Sequence, residues 1–352
     1  KLNIIFNAFF DSRIHDIPDS FEVNSKKMII VSHIHNENQC NNFNDASFGL
    51  FHNDLLEFSD IKPIILLINH TNISSKKLAR NFKNNQIDRI VMPKSSGIFN
   101  ELKCLFRIIC SVNRFSRSLT NLSPIESSLI EMIVKPSQLA QSMSILRIGF
   151  FVERLVNEYS PKYIITTYEG FASERIIFSS ARNANQKILC FGFQHSVINK
   201  YQHSLARSIN KKYNPDHIFC CGDITKDMLK NRDTLNGIET SVLGSPNGQP
   251  VLFSQVLDDN KSLTFLFLPE GIQSEYQILF KFILDCAKTF PSYSFVWRSH
   301  PSLDLECLDL FENITLPSNI IISKNTFEDD LKRSTYAIYR GTTAIIRAVK
   351  AN

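Results

Sequence analysis

Short apolar runs alternate with longer stretches of mixed polarity along most of the 352-residue chain. Runs rich in Ile, Val, Phe and Tyr that are bounded by turn-forming residues are typical of β-strands. Because these runs are almost continuously apolar, they indicate strands that are buried on both faces of a sheet. The predicted strands are Ile4–Phe6, Met28–Ser32, Pro63–Asn69, Ile90–Met92, Tyr163–Thr167, Ile188–Phe193, His217–Cys220, Thr264–Leu268, Ser294–Trp297, Asn319–Ile322 and Tyr336–Ile338.

The stretches between these strands are predicted to be helical. Regular alternation of buried strands with helices indicates parallel sheets that are covered by helices on both faces. The sequence therefore predicts the α/β class. The clearest predicted helices are Ser75–Asn84, Gln138–Glu158, Ala172–Ala184, Ser274–Thr289 and Thr343–Lys350.

A break in the alternation predicts a domain boundary. The segment 244–250 is rich in Gly, Pro, Ser and Asn, and the polar segment 257–261 follows it, after which strands and helices resume. We therefore predict an N-terminal domain over residues 1–245 and a C-terminal domain over residues 246–352. The second is short for a doubly wound domain, so it is expected to be truncated.

Composition narrows the class of protein. Hydrophobic residues make up 43% of the chain and charged residues 21%, which supports a packed core and not disorder. A net charge of +5 suits an anionic ligand or a membrane surface but is too small to indicate nucleic acid. No apolar run approaches the ~20 residues of a membrane span. Eight cysteines without a C-x-x-C pair indicate thiols in a reducing compartment, and Lys1–Phe6 predicts a strand and not a signal peptide.

Polar side chains that could carry chemistry follow two predicted strands of the first domain. Glu169 comes after the strand that ends at Thr167, at the edge where open α/β sheets place their ligands. A carboxylate there can act as general base for an acceptor hydroxyl, or it can simply stabilise the start of the next helix. Gln194 and His195 follow the next strand and can hydrogen-bond a sugar or a carboxylate, although a histidine there is often structural.

Three strand ends of the predicted second domain carry similar groups. Glu270 follows the first strand, where it would face a ligand, or belongs to an ordinary turn. Arg298 and His300 follow the second, and this pair suits phosphate recognition. Gly341 and Thr342 open the last helix, where backbone N–H groups and hydroxyls can form a cradle for an anion.

The order of these segments resembles the nucleotide-binding half of bacterial GT-B glycosyltransferases. A His-Pro dipeptide followed by a hydroxyl pair resembles the CMP-binding motif of bacterial sialyltransferases, polysialyltransferases and Kdo (3-deoxy-manno-octulosonate) transferases. Tyr168-Glu169-Gly170 is similar to their acidic-acidic-glycine catalytic motif, with Tyr168 in place of the first acid. The segments that carry the nucleotide-binding resemblance are Pro215–Gly222, Gly244-Ser245-Pro246, His300-Pro301 and Gly341-Thr342-Thr343.

The resemblance implies a GT-B fold: two Rossmann-like domains with parallel sheets and an interdomain cleft. It implies transfer of an acidic sugar, Kdo above all, from its CMP donor to a surface glycan such as lipopolysaccharide O-antigen or capsule. The implied catalytic residues are Glu169, Glu270 and His300. The implied nucleotide-binding residues are Arg298, His300, Pro301, Gly341, Thr342, Thr343, Gly244 and Ser245, and the implied sugar- or acceptor-binding residues are Gln194, His195, Ser196 and Glu174.

No cofactor and no metal are expected. A CMP-sugar leaves with a single phosphate, which helix N-termini, Arg298 and His300 could stabilise. No D-x-D motif follows a strand, and the Asp pairs at 258–259 and 329–330 are expected to be solvated. His33 and His35 could bind metal as an H-x-H pair, but no matching set of ligands follows at a recognisable spacing.

The expected location is the cytoplasm, at the inner face of the inner membrane. Basic residues are spaced along the apolar helix predicted over 102–119. This helix could lie on an anionic membrane and reach a lipid-linked acceptor. A buried helix with solvated charges is the favoured account. Three other readings of the function stay open: transfer from a UDP-sugar or CDP-polyol donor, a non-catalytic sugar-binding module of a larger synthase, and a metal hydrolase based on His33 and His35.

Overall fold

The structure is a computed structural model with two compact units, Lys1–Pro246 and Asn247–Asn352, which are described one at a time. The structure describes residues 26–41, 45, 47–82, 87–118, 122–134, 136–198, 202–205, 207, 209–231, 235, 237–245, 263–300, 303, 315–342 and 344–350. The predicted strand Ile4–Phe6 lies outside these residues.

The first unit is built on a parallel sheet. Its strands are β1 (Lys26–Ile34), β2 (Ile61–Asn69), β3 (Asp88–Val91), β4 (Tyr163–Thr167), β5 (Leu189–Gln194), β6 (His217–Cys220) and β7 (Glu239–Val242). They lie in the order β3-β2-β1-β4-β5-β6-β7, and every pair is parallel. The strand order therefore reverses between β1 and β4, and ligands of open α/β sheets bind outside the carboxyl ends at such a switch point.

Helices accompany these strands, and apolar residues fill both faces of the sheet. Ile29 and Ile164 belong to one buried cluster together with Phe151 and Phe178, whereas Ile30 and Ile165 belong to the other. Neighbouring residues of a strand point to opposite faces, which explains why near-continuous apolar runs are needed here. The helices are α1 (Phe51–Phe58), α2 (Ser75–Asn81), α3 (Ile98–Ser118), α4 (Pro124–Val134), α5 (Pro136–Tyr159), α6 (Ala172–Ala184) and α7 (Asp223–Lys230).

The second unit contains a smaller parallel sheet in the order β10-β9-β8-β11. Its core centres on Trp297, which is fully buried and packs edge-on against Tyr276 and Phe280 with ring centroids 5.0 and 5.1 Å away. The elements of this unit are β8 (Thr264–Leu268), α8 (Gln273–Thr289), β9 (Ser294–Trp297), β10 (Ile320–Ile322), α9 (Phe327–Arg333), β11 (Tyr336–Tyr339) and α10 (Ala344–Lys350).

The predicted α/β class is confirmed, because each unit contains a parallel sheet accompanied by helices. The pattern missed β7, whose residues Glu239–Val242 contain no apolar run. This strand lies at the edge of its sheet, pairs with β6 alone and is half-exposed, so it needs no continuous apolar sequence.

The favoured account of the helix around 102–119 is wrong for most of its apolar residues. Within α3, Glu101, Cys104 and Ile108 are buried, whereas Phe99 and Phe106 are 89% and 68% exposed. The apolar residues fall on more than one face of the helix, and only one face packs against α5. Among the described residues, no helix has both the length and the apolar character that crossing a bilayer requires.

Candidate active site

The carboxyl edge of the first sheet gathers most of the predicted chemistry of that unit. Glu169 follows β4, and His195 follows β5. His33 lies near the end of β1, and His70 comes directly after β2. Because all these strands are parallel, their carboxyl ends meet along one edge, on both sides of the switch point.

Glu174 fixes the loop that carries Glu169. The Glu174 side chain is 97% buried, and its carboxylate accepts hydrogen bonds from the backbone N–H groups of Glu169 and Phe171, each at 2.9 Å. Burial raises the pKa of Glu174 to about 7, although the N–H donors oppose this by favouring the carboxylate. The predicted role of Glu174 in sugar binding stays a prediction, and the structure shows that its carboxylate orders the loop.

Arg175, which sequence reasoning missed, ties the same loop to distant segments. Its guanidinium donates to the carbonyls of Gly170 at 3.1 Å and Ser204 at 2.7 Å, and to Asn214 Oδ1 at 2.8 Å. The Ser204 hydroxyl donates to the Glu169 carbonyl at 2.6 Å. Gly170 has φ of 82°, and a Cβ there would collide with the Ser204 carbonyl. The backbone around Glu169 is therefore fixed, and no described residue hydrogen-bonds its half-buried carboxylate.

Three buried polar atoms near these strand ends have no partner among the described residues: Thr166 Oγ1, Gln194 Oε1 and His195 Nδ1. Thr166 and Gln194 are fully buried, and the Gln194 amide donates to Ser196 Oγ at 3.2 Å. Unsatisfied buried polar groups are rare and cost about 1–3 kcal/mol each. Hydroxyl groups of a polar ligand would satisfy them. The prediction that Gln194, His195 and Ser196 bind a sugar is not contradicted and remains a prediction.

Four imidazoles lie together at this edge, and we call His33, His35, His70 and His195 the histidine cluster. His33 Nδ1 and His70 Nε2 are 2.9 Å apart, at hydrogen-bond distance. The rings of His35 and His70 stack with centroids 4.8 Å apart. Burial first, and then the neighbouring His70, His35 and His195, together lower the pKa of His33 to about 4. His33 is therefore neutral at pH 7.

The metal-site reading of His33 and His35 is not supported by the part of the chain that the structure describes. Within it, no group of three or more His, Cys, Asp or Glu side chains is arranged to hold a metal ion. His33 and His70 direct ring nitrogens at each other, which is the geometry of a hydrogen bond between imidazoles.

Cavities add residues that no sequence pattern indicates. One of about 340 Å³ lies beside the Glu169 loop, and its walls include Gly170, Phe171, His203 and Arg207. Another, of about 620 Å³, lies between α3, α5 and α6 and contains none of the predicted site residues. Both are formed by packing between segments that are distant in the sequence, so no local pattern could have shown them.

Three predicted residues of the second unit meet at the carboxyl edge of its sheet. Gly341, with φ of 67°, follows β11, and a Cβ there would collide with the carboxylate of Glu270, which follows the neighbouring β8. Burial lowers the pKa of His300, and the nearby Glu270 opposes this shift. Thr342 Oγ1 accepts a hydrogen bond from the Ala344 N–H at 3.3 Å, at the start of α10.

Arg298 has a partner that the sequence did not indicate. Its guanidinium donates to Asp330 Oδ2 and to the Asn325 carbonyl, both at 2.8 Å. Asp330 also accepts from Arg333 at 2.7 Å and from Ser323 at 2.7 Å, and its side chain is completely buried. The expectation that Asp330 is solvated is therefore wrong. The ion pair neutralises much of the positive charge that was predicted to hold a phosphate.

For the remaining residues that were predicted to bind the nucleotide, the structure gives little or no information on the predicted role. Pro301 and Thr343 lie outside the described residues, as does the Asp pair at 258–259. Gly244 follows β7 with φ of 100°, and its N–H donates to the Cys220 carbonyl at 3.3 Å. Ser245 is half-buried. Their predicted part in nucleotide binding stays a prediction.

The fold of the chain is similar to the folds of solved structures. No model of a protein family and no curated protein matches the chain by sequence. The chain is similar to UDP-GlcNAc 2-epimerase from Neisseria meningitidis bound to UDP-GlcNAc, with 12% identity and a TM-score of 0.53 over 91% of this chain and 78% of that one. It is also similar to a putative UDP-N-acetylglucosamine 2-epimerase from Listeria monocytogenes, with 10% identity and a TM-score of 0.51 over 92% and 76%. At such identities the likeness shows the fold alone.

Proposed function

We propose that the chain is a glycosyltransferase that takes its sugar from a nucleotide-activated donor. The observation that carries this proposal is the Glu169 loop, which holds a carboxylate with no described partner at the carboxyl edge of a parallel sheet. In the proposed mechanism, Glu169 accepts the proton of the acceptor hydroxyl as that oxygen attacks the anomeric carbon. A backbone that is already fixed keeps the base in position without further ordering.

The unsatisfied polar atoms beside this loop support a carbohydrate as the acceptor. Gln194 Oε1 can accept a hydrogen bond from a sugar hydroxyl, and Thr166 Oγ1 can donate or accept one. Apolar ligands could not satisfy these atoms, whereas sugars carry both donors and acceptors on every ring. Gln194, His195 and Ser196 therefore keep the acceptor-binding role that their position after β5 predicts.

The nucleotide is proposed to bind at the carboxyl edge of the second sheet. His300 would donate a hydrogen bond to the donor phosphate, and Gly341 and Thr342 would supply a backbone N–H and a hydroxyl. Glu270, beside Gly341, is the proposed second carboxylate and would be the nucleophile if the reaction proceeds through a covalent adduct. Arg298 is proposed to stabilise the conformation of this edge through its ion pair with Asp330.

The donor is proposed to be CMP-Kdo and the acceptor a bacterial surface glycan, either free or lipid-linked. The support is the resemblance of His300-Pro301 and Gly341-Thr342-Thr343 to the CMP-binding motif of Kdo and sialic acid transferases. A single leaving phosphate needs less charge neutralisation than a diphosphate, so these groups would act without a metal ion. A UDP-sugar or CDP-polyol donor is the alternative within the same reaction.

A panel of nucleotides tests the donor. Purified chain is heated with CMP, UMP, CDP, UDP and GDP, because a ligand at 100 times its Kd stabilises the folded state by about 2.7 kcal/mol. We expect the largest rise in Tm with CMP, its loss in His300→Ala and its retention in the control variant His217→Ala. A larger rise with UDP would overturn the CMP assignment. Binding of a nucleotide with no turnover of any donor would favour a sugar-binding module.

A nucleotide-sugar 2-epimerase is a second candidate. The two solved structures named above are UDP-GlcNAc 2-epimerases, and both have TM-scores above 0.5. An epimerase inverts one carbon of the sugar, whereas a transferase moves the sugar to a new molecule. NMR of chain incubated with UDP-GlcNAc distinguishes them: a new UDP-sugar epimer without an acceptor would favour the epimerase.

A further inference from the structure

The histidine cluster lies at the carboxyl edge of the first sheet and is formed by side chains from different strand ends. It joins the ends of three strands: His33 and His35 come from β1, His70 from β2 and His195 from β5. The pairing of His33 with His70 at 2.9 Å and the stacking of His35 on His70 keep the imidazoles in contact. Two neutral imidazoles that share a hydrogen bond leave one further nitrogen that can accept a proton.

Among the described residues, no carboxylate is among the groups that act on the pKa of His33 or His70. The groups that act on the pKa of His33 are His70, His35 and His195, and all three lower it, as does burial. His70 is affected by burial and by His35 in the same direction. Glu169, whose strand β4 lies between β1 and β5, is not among the groups that act on either pKa.

Two carboxylates follow β1, and neither is aimed at the cluster. Asp45 accepts hydrogen bonds from the Ser32 hydroxyl at 2.7 Å and from the backbone N–H groups of Ser47 and Phe48. Glu37 pairs with Lys77 at 3.2 Å and with Asn81. Because no carboxylate of the described residues offsets the lowered pKa of His33, a negative charge on a ligand would stabilise the protonated cluster.

We propose that the histidine cluster binds an oxyanion of a carbohydrate ligand, a carboxylate or a phosphate, and takes up a proton as it binds. The unsatisfied atoms of Thr166, Gln194 and His195 would hold hydroxyl groups of the same ligand. A bound anion stabilises the imidazolium form, so the affinity for the anion rises as the pH falls. The site stands whether or not the chain transfers sugar, because its binding is measured without any donor.

Histidine titration by NMR tests the site in the whole chain, with glucuronate, inorganic phosphate or glucose as the added probe. We expect glucuronate or phosphate to raise the pKa of at least one cluster histidine by about one unit, equivalent to tenfold tighter binding to the protonated form. A response to glucuronate alone assigns a carboxylate group, and a response to phosphate alone assigns a phosphate group. No response to either, or an equal response to glucose, would overturn the proposal.

His70→Gln is the informative variant, since glutamine can still hydrogen-bond His33 but cannot hold the proton. We expect the anion-dependent shift of the remaining cluster histidines to disappear. His217→Gln is the matched control: His217 begins β6 at the opposite edge of the sheet and bonds Ser241 at 2.7 Å, so it should leave the shift unchanged. If Zn²⁺ broadens the cluster resonances at micromolar concentration while neither anion shifts them, the cluster is a metal site instead.

A second inference rests on the exposed apolar residues along α3 and α4. On α3, Phe99, Leu102 and Phe106 are each more than half exposed and lie within one sector of the helix at 100° per residue. On α4, Ile125, Leu129 and Met132 follow one another at spacings of four and three, and each is also more than half exposed. Exposed apolar residues that recur along one side of a helix mark an interaction surface.

Cations border the apolar sector of α3. Lys103, Arg107 and Arg114 are exposed and recur at spacings of four and seven, so they form one stripe beside it. Lys103 and Arg107 also line the cavity of about 620 Å³ between α3, α5 and α6, together with Arg154, which pairs with Glu158 at 3.8 Å. An apolar face edged by cations is complementary to an anionic lipid surface.

We infer that α3 rests on an anionic membrane surface, with its apolar sector among the acyl chains and its basic stripe at the headgroups. Each Lys or Arg near such a surface adds electrostatic attraction to the anionic headgroups. The contact is interfacial and needs no membrane-spanning helix. It would bring the chain to lipid-linked glycans.

Co-sedimentation with vesicles tests this surface. We expect binding to vesicles with about one phosphatidylglycerol per two phosphatidylcholines and at least tenfold weaker binding to phosphatidylcholine alone. Lys103→Glu/Arg107→Glu and Phe99→Ser/Phe106→Ser should each reduce binding at least tenfold. Phe58→Ser, an equally exposed phenylalanine on α1, is the control and should bind normally.

Two outcomes would overturn the membrane assignment. Equal binding to both kinds of vesicle, or none to either, contradicts the role of the basic stripe. If light scattering shows a dimer that Phe99→Ser/Phe106→Ser dissociates, the surface joins two copies of the chain instead.

Discussion

Glu169 and Arg298 occupy equivalent places in the two units, each just after a buried strand of a parallel sheet. Glu169 has a backbone fixed by Glu174 and Arg175, and no described residue bonds its carboxylate. Arg298 instead directs its guanidinium at the buried carboxylate of Asp330. A strand end therefore indicates where a ligand can bind, but the partners brought by distant segments decide which charged side chain is left for the ligand.

The largest expected effect is on turnover. Glu169→Gln keeps the shape of the side chain but removes the proton acceptor, so we expect sugar transfer to slow by about 10²–10⁴-fold with little change in nucleotide affinity. Glu153→Gln, an exposed glutamate on α5, is the control. Steady-state kinetics and urea unfolding of both variants check this. Transfer at nearly the wild-type rate would show that Glu169 is not the base and would leave Glu174 or His195 as the candidates.

The second largest expected effect is on the stability of the second unit, where Asp330 pairs with Arg298. Asp330→Asn leaves Arg298 and Arg333 beside a neutral amide in a buried position, so we expect a loss of about 3–5 kcal/mol in the free energy of unfolding of the second unit. Asp329→Asn, at the neighbouring exposed acid that accepts a hydrogen bond from the hydroxyl of the N-cap residue Thr326, should lose no more than about 1 kcal/mol. Urea unfolding measures both. Similar losses in the two variants would contradict the structural role of Asp330.

The third effect is a pH dependence of the free energy of unfolding, which comes from Glu174, the residue that orders the Glu169 loop. Because the folded-state pKa of Glu174 is raised to about 7, the folded chain binds its proton more tightly than the unfolded chain. This group therefore makes the fold more stable as the pH falls from 7 towards 4.5. We expect a gain on the order of 1–2 kcal/mol between pH 8 and pH 5.5 that Glu174→Gln lacks. Parallel profiles for the two proteins would show that Glu174 titrates normally.

The smallest effect separates packing from phosphate recognition at Arg298. Arg298→Lys keeps a positive charge near Asp330 but loses the second contact, with the Asn325 carbonyl. We expect a loss of about 1 kcal/mol in stability and less than about a threefold change in CMP affinity. A tenfold loss of CMP affinity with unchanged stability would place Arg298 on the phosphate after all.

The fold was largely predictable because buried parallel strands need continuous apolar sequence. Tyr163–Thr167, His217–Cys220, Thr264–Leu268 and Ser294–Trp297 have the predicted bounds. The edge strand β7 was not predictable from apolarity, since it is half-exposed. The burial of the helix around 102–119 was misjudged because periodicity shows that a helix has apolar faces but not how many of them meet the rest of the protein.

The candidate site was predictable only in part. Glu169, Gln194 and Glu270 were identified from their positions after strands, which is local information. Arg175 and Asp330 were not, because each depends on partners that are distant in the sequence: Ser204 and Asn214, 29 and 39 residues from Arg175, and Arg298, 32 residues from Asp330. His70 joins His33 only because β1 and β2 are neighbours in the sheet, so the histidine cluster depends on the strand order.

Product analysis with and without Glu169 tests the central claim most directly. Wild-type chain and Glu169→Gln are incubated with CMP-Kdo and a lipopolysaccharide-derived acceptor, and mass spectrometry follows the acceptor while free CMP is quantified. The account predicts that the acceptor gains the mass of one Kdo residue in step with CMP release, and that Glu169→Gln slows both by about 10²–10⁴-fold. No transfer from CMP-Kdo, UDP-sugars or a CDP-polyol by folded wild-type chain, or equal transfer by Glu169→Gln, would contradict it.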